Sequence, residues 1–127
     1  MKRAYSLKGR EVFQEVFRRG KRFSGTDLRI IVRQRKNETD RSGRGTVGND
    51  SAVPRINIGI TLSRKYGNAV ARNRSRRIIR SICRDYIPLM RGGYYIVIQP
   101  GSGFKEKSYI EARGELAELF RKAGVLS

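Results

Sequence analysis

Arg64-Lys65-Tyr66-Gly67-Asn68-Ala69-Val70-Ala71-Arg72-Asn73-Arg74-Ser75-Arg76-Arg77-Ile78-Ile79-Arg80 is the stretch around which the chain is organised. It follows an apolar, strand-like run and is itself mostly helical in character. No acidic residue falls between Asp50 and Asp85, whereas Arg55, Arg64, Lys65, Arg72, Arg74, Arg76, Arg77, Arg80 and Arg84 all do. A charged stretch on a surface helix is ordinarily a solvated face, and such faces mix signs in i,i+4 pairs. Here like charges stand side by side and repel, a strain that a polyanion would relieve. At about 100° per residue, Ala71, Ile78, Ile79, Ile82, Cys83 and Tyr86 share one arc. Asn73, Arg74, Arg76, Arg77, Arg80 and Arg84 take the opposite arc, with Arg72 at the seam. One face is for a core and the other for phosphates, which a planar guanidinium grips by two oxygens.

The whole chain agrees with that division. Its 127 residues fit a single domain, residues 1–127, with a modest core. A formal net charge of +18 exceeds what solubility requires and points to nucleic acid as partner. A membrane is the weaker option: no run is long and apolar enough to span a bilayer, and no basic face is paired with an aromatic insertion face. Met1-Lys2-Arg3-Ala4-Tyr5 is basic but lacks a following apolar region, so it does not read as a secretory signal. The single cysteine, Cys83, lies on the apolar arc and reads as a small core residue, compatible with a reducing cytoplasm. There is no histidine, and the 11 acidic residues form no pattern that would hold a metal ion. Those gaps make the chain a poor enzyme on its own.

Outward from the central stretch, the elements follow from period and punctuation. Val12, Phe13, Val16 and Phe17 make an amphipathic helix between Gly9 and Gly20, the second glycine reading as a left-handed C-terminal stop. The two phenylalanines are core anchors in the plain reading, while an aromatic at the edge of a core also stacks on bases. From Asp27 to Arg33, Leu28, Ile30 and Val32 alternate with Arg29, Ile31 and Arg33, a strand whose second face lines a charged groove. The polar, glycine-rich run over 36–54 predicts a long flexible loop. Ile56, Ile58, Ile60 and Leu62 then alternate with Asn57, Gly59, Thr61 and Ser63, small residues that let another group approach closely. The central helix runs to about Tyr86, before Pro88. Tyr94–Ile98 is apolar on both faces and so central in a sheet. Ser108 and Glu111 form a capping box for a last helix of mixed charge, a clamp on the sheet rather than an RNA face. The order is α-β-β-α-β-α, an α+β sandwich with a small sheet and helices over one side.

At this point the chain resembles the protein subunit of bacterial ribonuclease P. The resemblance rests on Gly59-Ile60-Thr61-Leu62-Ser63-Arg64-Lys65, then Gly67 to Arg80, with Arg72-Asn73-Arg74 matching that family's RNR signature. Leu7, Phe13, Val16-Phe17 and Gly20 resemble its first helix, and Tyr94–Ile98 and Leu119-Phe120 its C-terminal half. The resemblance implies a ribonucleoprotein endonuclease that matures the 5′ end of transfer RNA, with no catalytic residue in this chain. The chemistry would belong to the RNA and its magnesium, with no cofactor on the protein. It also implies a left-handed βαβ crossover, against the general preference. Carried over by position, Arg64, Lys65, Asn68, Arg72, Asn73, Arg74, Arg76, Arg77 and Arg80 are expected at the catalytic RNA. Phe13, Phe17, Ile31, Arg33, Thr61 and Lys65 are expected at the precursor's 5′ leader, with Ile31 standing where the family often has an aromatic. Free protein is expected to bind anions such as phosphate or sulfate. A ribosomal-type RNA binder, a nucleoid-type DNA binder and a self-sufficient nuclease are the competing readings. The long motif favours the first reading over all three.

Overall fold

The computed structural model describes residues 5–35 and 56–127. Its elements are α1 (Arg10–Arg19), β1 (Lys21–Ser24), β2 (Leu28–Gln34), β3 (Ile56–Ile60), α2 (Ala69–Tyr86), β4 (Tyr94–Pro100) and α3 (Tyr109–Lys122). Short 3-10 turns occupy Arg64–Tyr66, Ile87–Leu89 and Ser102–Glu106. The sheet order is β1-β2-β4-β3, with β2 antiparallel to β1 and β4, and β3 parallel to β4. This is an α+β chain with a small mixed sheet, and β4 is central as its two apolar faces predict.

Three details correct the sequence reading. The order is α-β-β-β-α-β-α, because Lys21-Arg22-Phe23-Ser24 forms an edge strand that pairs with β2 through Ser24 opposite Arg29. One apolar residue in four gives no alternation to detect, although Gly25-Thr26-Asp27 between two extended runs carried a hairpin signal. The helices cover both faces of the sheet, not one. Gly20 is extended (φ −76°), not left-handed. Its lack of a side chain serves close approach, since a Cβ there would lie 2.6 Å from Ile31 Cγ2 and from the Val16 carbonyl. The segment before α1 joins the sheet edge: Ser6 bridges to Ile58, and Leu7 N–H donates to the Ile58 carbonyl at 3.0 Å. The loop expected at 36–54 lies outside the described residues.

Alternation along the strands sorts the core into two layers. Leu28, Ile30, Val32, Ile56, Ile58, Ile96 and Ile98 meet Ile79, Ile82 and Cys83 of α2 and Leu116, Leu119 and Phe120 of α3. On the other face Ile31 and Val97 meet Val16 and Leu7, with Val12, Phe13 and Phe17 of α1 packed around them. Burying a Leu or Ile side chain contributes about 1.5–3 kcal/mol, so the α2–α3 layer holds most of the stability. The α3 clamp is specific as well as apolar. The Glu115 carboxylate accepts from the backbone N–H groups of Asp27 (2.8 Å) and Leu28 (3.0 Å), and Lys107 Nζ bridges Asp27 (3.0 Å) and Glu115 (3.2 Å). The capping box is formed in full: Glu111 N–H donates to Ser108 Oγ at 3.1 Å, and Ser108 N–H to Glu111 Oε1 at 3.0 Å.

The hand of the β3–α2–β4 crossover follows from backbone direction. Thr61 N–H donates to the Ile98 carbonyl (3.0 Å), so odd-numbered residues of β3 aim their backbone groups at β4. Their side chains face α1, since a Cβ on Gly59 would meet the Phe13 ring. For L-residues, β4 then lies to the right of an ascending β3 seen from α1, and to the left seen from α2. A crossover over the α2 face that steps left is left-handed, the rare hand.

Candidate nucleic-acid interface

The N-terminus of α2 is fixed by its own side chains. Asn68 is the N-cap, its Oδ1 accepting from Ala71 N–H at 2.9 Å. Arg72 Nη1 donates to the Gly67 carbonyl at 2.7 Å and so folds back onto the entering turn. Tyr66 is buried beneath that turn, its hydroxyl 2.7 Å from Ser75 Oγ, and burial raises its phenol above the ordinary value. Lys105 Nζ stands 5.3 Å from the centre of the Tyr66 ring and brings another cation to this end of the helix. Asn68 and Arg72, both expected at the RNA, thus have local structural partners.

The remaining arginines stand outward. Arg74, Arg77, Arg80 and Arg84 are exposed, and Arg76 is half-buried with Nη1 3.3 Å from Asn73 Oδ1. Asn73, Arg76, Arg77, Arg80 and Arg84, with Ser81, line one shallow hollow. Asp85, the acid in the last turn of α2, is held by Arg113 of α3 at 2.7 Å, which keeps its carboxyl below the usual range. Among the described residues none of Arg74, Arg76, Arg77, Arg80 and Arg84 is ion-paired. Arg64 and Lys65 are exposed on the turn before the helix.

On the opposite face α1 divides the sheet. Val16 covers Ile31 and Val97, so residues 29 and 33 of β2 emerge on different sides of the helix. Phe13 and Phe17 lie on one flank of α1, Val12 and Glu15 on the other, by the 100° step. The Glu15 flank holds Arg33 in an ion pair at 3.0 Å and shares a hollow with Tyr95 and Asn57. The Phe13–Phe17 flank faces a polar row in register across the sheet: Ser24, Arg29 and Gln99, with Thr61 one residue beyond β3 opposite Gln99. Arg29 Nε donates to Gln99 Oε1 at 3.1 Å. These four residues and Ser63 line a groove that continues over the ends of the strands toward Gly101–Gly103.

Of the six residues expected at the leader, Thr61 lines this groove, Phe13 and Phe17 lie on the flank of α1 that faces it, and Lys65 is exposed two residues beyond Ser63, itself a lining residue. Ile31 is not at the groove: it is 0 % exposed under Val16, and its aliphatic side chain seals the α1 layer. Arg33 is not either, because α1 lies between it and Thr61. Sequence reading missed Gln99 and Ser24 altogether, and saw Arg29 only as a charge on a strand's second face. Alternation could name the face, but the row exists only by cross-strand register.

Among the described residues no group of His, Cys, Asp or Glu is placed to hold a metal ion, and no helix is long and apolar enough to cross a membrane. An α+β sandwich with a left-handed crossover is an uncommon class of fold, and this chain is a strongly basic member of it. A solved RNase P protein from Staphylococcus aureus has the same fold, with a TM-score of 0.78 at 20% identity over 98% of this chain and 100% of that one. The RNase P protein from Thermotoga maritima matches at 0.71 and 22% identity, over 92% and 96% of the two chains. A model of the Ribonuclease P family matches residues 1–124. The ribonuclease P protein component of Symbiobacterium thermophilum is 33% identical over 126 residues, 99% of this chain and 96% of that one. That of Clostridium novyi is 29% identical over 125 residues, 98% of each. The chain belongs to the ribonuclease P protein family, the protein component of a ribonucleoprotein endoribonuclease.

Proposed function

We propose that this chain binds the catalytic RNA of ribonuclease P through the outer face of α2 and holds the single-stranded 5′ leader of precursor transfer RNA beside α1. In this way it supports 5′ maturation. The observation that carries the reading is the row of arginines on α2 that have no acidic partner among the described residues, set on the opposite side of the sheet from a polar groove that lies beside the Phe13–Phe17 flank of α1. Arg74, Arg76, Arg77, Arg80 and Arg84 supply phosphate contacts, and Arg64 and Lys65 extend them toward the groove. Phe13 and Phe17 offer stacking edges, while Arg29, Gln99, Thr61 and Ser63 offer hydrogen bonds to a strand lying along the sheet. The catalytic RNA with its bound magnesium supplies the hydrolysis; the protein's residues bind and position. Arg72, Asn68 and the Tyr66–Ser75 pair act one step back, fixing the turn from which the arginine face starts. A buried, lone thiol and an RNA substrate fit a cytoplasmic site of action.

The test is cleavage of a precursor transfer RNA at low magnesium with protein alone, with ribonuclease P RNA alone, and with both. Strong 5′ processing only in the mixture is expected. Cleavage by protein alone would move the chemistry onto this chain, and no gain in the mixture would favour a ribosomal-type RNA binder.

A further inference from the structure

We infer that Glu115, Lys107 and Asp27 form a clasp that sets the shape and the charge of the groove beside α1, which makes them positioning residues for the single strand held there; the inference rests on the leader reading above. The three come from separate parts of the chain: Asp27 from the turn between β1 and β2, Lys107 from the segment after β4, and Glu115 from α3. Glu115 Oε2 accepts from the backbone N–H groups of Asp27 at 2.8 Å and of Leu28 at 3.0 Å. Lys107 Nζ stands 3.0 Å from Asp27 Oδ2 and 3.2 Å from Glu115 Oε1. Each of the three side chains is less than a quarter exposed, so water competes little for these bonds.

The clasp joins the two turns that form one end of the groove. Gly25 to Asp27 and Gly101 to Gly103 both line it, and Gly101 N–H donates to the Asp27 carbonyl at 2.8 Å. Neither turn has room for a side chain at its glycine. A Cβ on Gly25 would collide with the Glu115 carboxylate, and one on Gly103 with that of Asp27. The carboxylates fill the space against the turns, so their reach fixes where the turns stand. Leu28, whose N–H is held, leads directly into Arg29, the first member of the polar row in β2. Charge gives the second part of the argument. Among the described residues that line the groove, Asp27 is the only acid and Arg29 the only cation. An uncompensated carboxylate at the Asp27 position would repel a phosphodiester strand. Lys107 neutralises it without itself lining the groove.

The experiment uses the reconstituted ribonucleoprotein and two precursors, one with a long 5′ leader and one with a single leader nucleotide. The ratio of their Kd values measures what the groove contributes, and a general loss of folding or of RNA affinity cancels from it. Glu115→Ala should lower that ratio by roughly fivefold or more, the effect of one lost base contact. Glu115→Asp keeps the charge but is one methylene too short to reach the two N–H groups, so it should lower the ratio as well. Glu115→Gln keeps the reach and an acceptor oxygen, and should hold the ratio near wild type. Lys107→Met leaves the Asp27 charge facing the strand; the ratio should fall while the salt dependence of ribonuclease P RNA binding stays unchanged. Wild-type ratios in both the Ala and Asp variants overturn the proposal. A ratio kept by Asp and lost by Gln does so too, because it assigns the effect to charge and not to reach. A flattened salt slope in Lys107→Met would make that lysine a phosphate contact and remove it from the clasp. If leader length leaves Kd unchanged in the wild type, the leader reading itself fails, whereas a wild-type leader effect that every variant retains sinks only the clasp.

Discussion

Arg72 and Arg74 are two residues apart in one motif, yet the fold gives them different work. Arg72 Nη1 lies 2.7 Å from the Gly67 carbonyl and is half-buried, whereas Arg74 is exposed with no ion pair among the described residues. A hydrogen bond from a charged donor contributes about 1.5–3 kcal/mol, less when water competes. Arg72→Ala should therefore destabilise the free protein by about 1–2 kcal/mol. For a domain of this size that corresponds to a melting temperature lower by roughly 4–8 °C. Its effect on RNA affinity should arise through the loosened turn, so the dependence of log K on log salt should change little. Arg74→Ala should do the reverse. Stability stays within about 0.5 kcal/mol, as for exposed sites generally, and the salt slope flattens by roughly 0.7–0.9 for a lost phosphate contact. Thermal melts monitored by circular dichroism and binding to ribonuclease P RNA over a salt series read both quantities. If Arg72→Ala melts like wild type and flattens the slope as Arg74→Ala does, Arg72 points to the RNA and the positioning argument is wrong.

Other consequences follow from packing, protonation and charge. Gly59→Val should cost roughly 1–3 kcal/mol through overpacking, because a Cβ there lies 2.5 Å from Phe13 Cζ. Gly114→Ala, with nothing within 4 Å, should instead stabilise α3 by about 0.5–1 kcal/mol; melts in which both variants shift the same way would contradict this. The Cys83 thiol is pushed up to about 12 by burial, from 9.0. A folded value above the unfolded one means its contribution is complete below pH 9 and declines between pH 9 and 12, in the same direction as Tyr66. Melting temperature should fall over that range with a gentler slope in Cys83→Ala, and rapid thiol labelling of native protein at pH 8 would refute the burial. The arginine face should make stability anion-dependent: phosphate or sulfate should raise the melting temperature beyond chloride of equal ionic strength, and equal effects would argue against specific anion sites on α2.

The residues that set local structure were legible from the sequence because they act over a turn or two. The arginine face and apolar stripe of α2, the alternation in β2 and β3, the two-faced β4 and the Ser108–Glu111 box all follow from periods of 3.6 and 2. Composition pointed to a polyanion for a similar reason, since net charge is a sum that needs no coordinates. Tertiary structure decided whatever depends on which strands become neighbours. Register brought Arg29, Gln99 and Thr61 into one row. The path of α1 buried Ile31 and separated Arg33 from the groove. The edge strand β1 owes its existence to pairing with β2, not to its own residues. The hand of the crossover likewise follows from where β4 lies relative to β3. Contacts between residues dozens of positions apart leave no periodic trace in either segment, so only the folded chain records them.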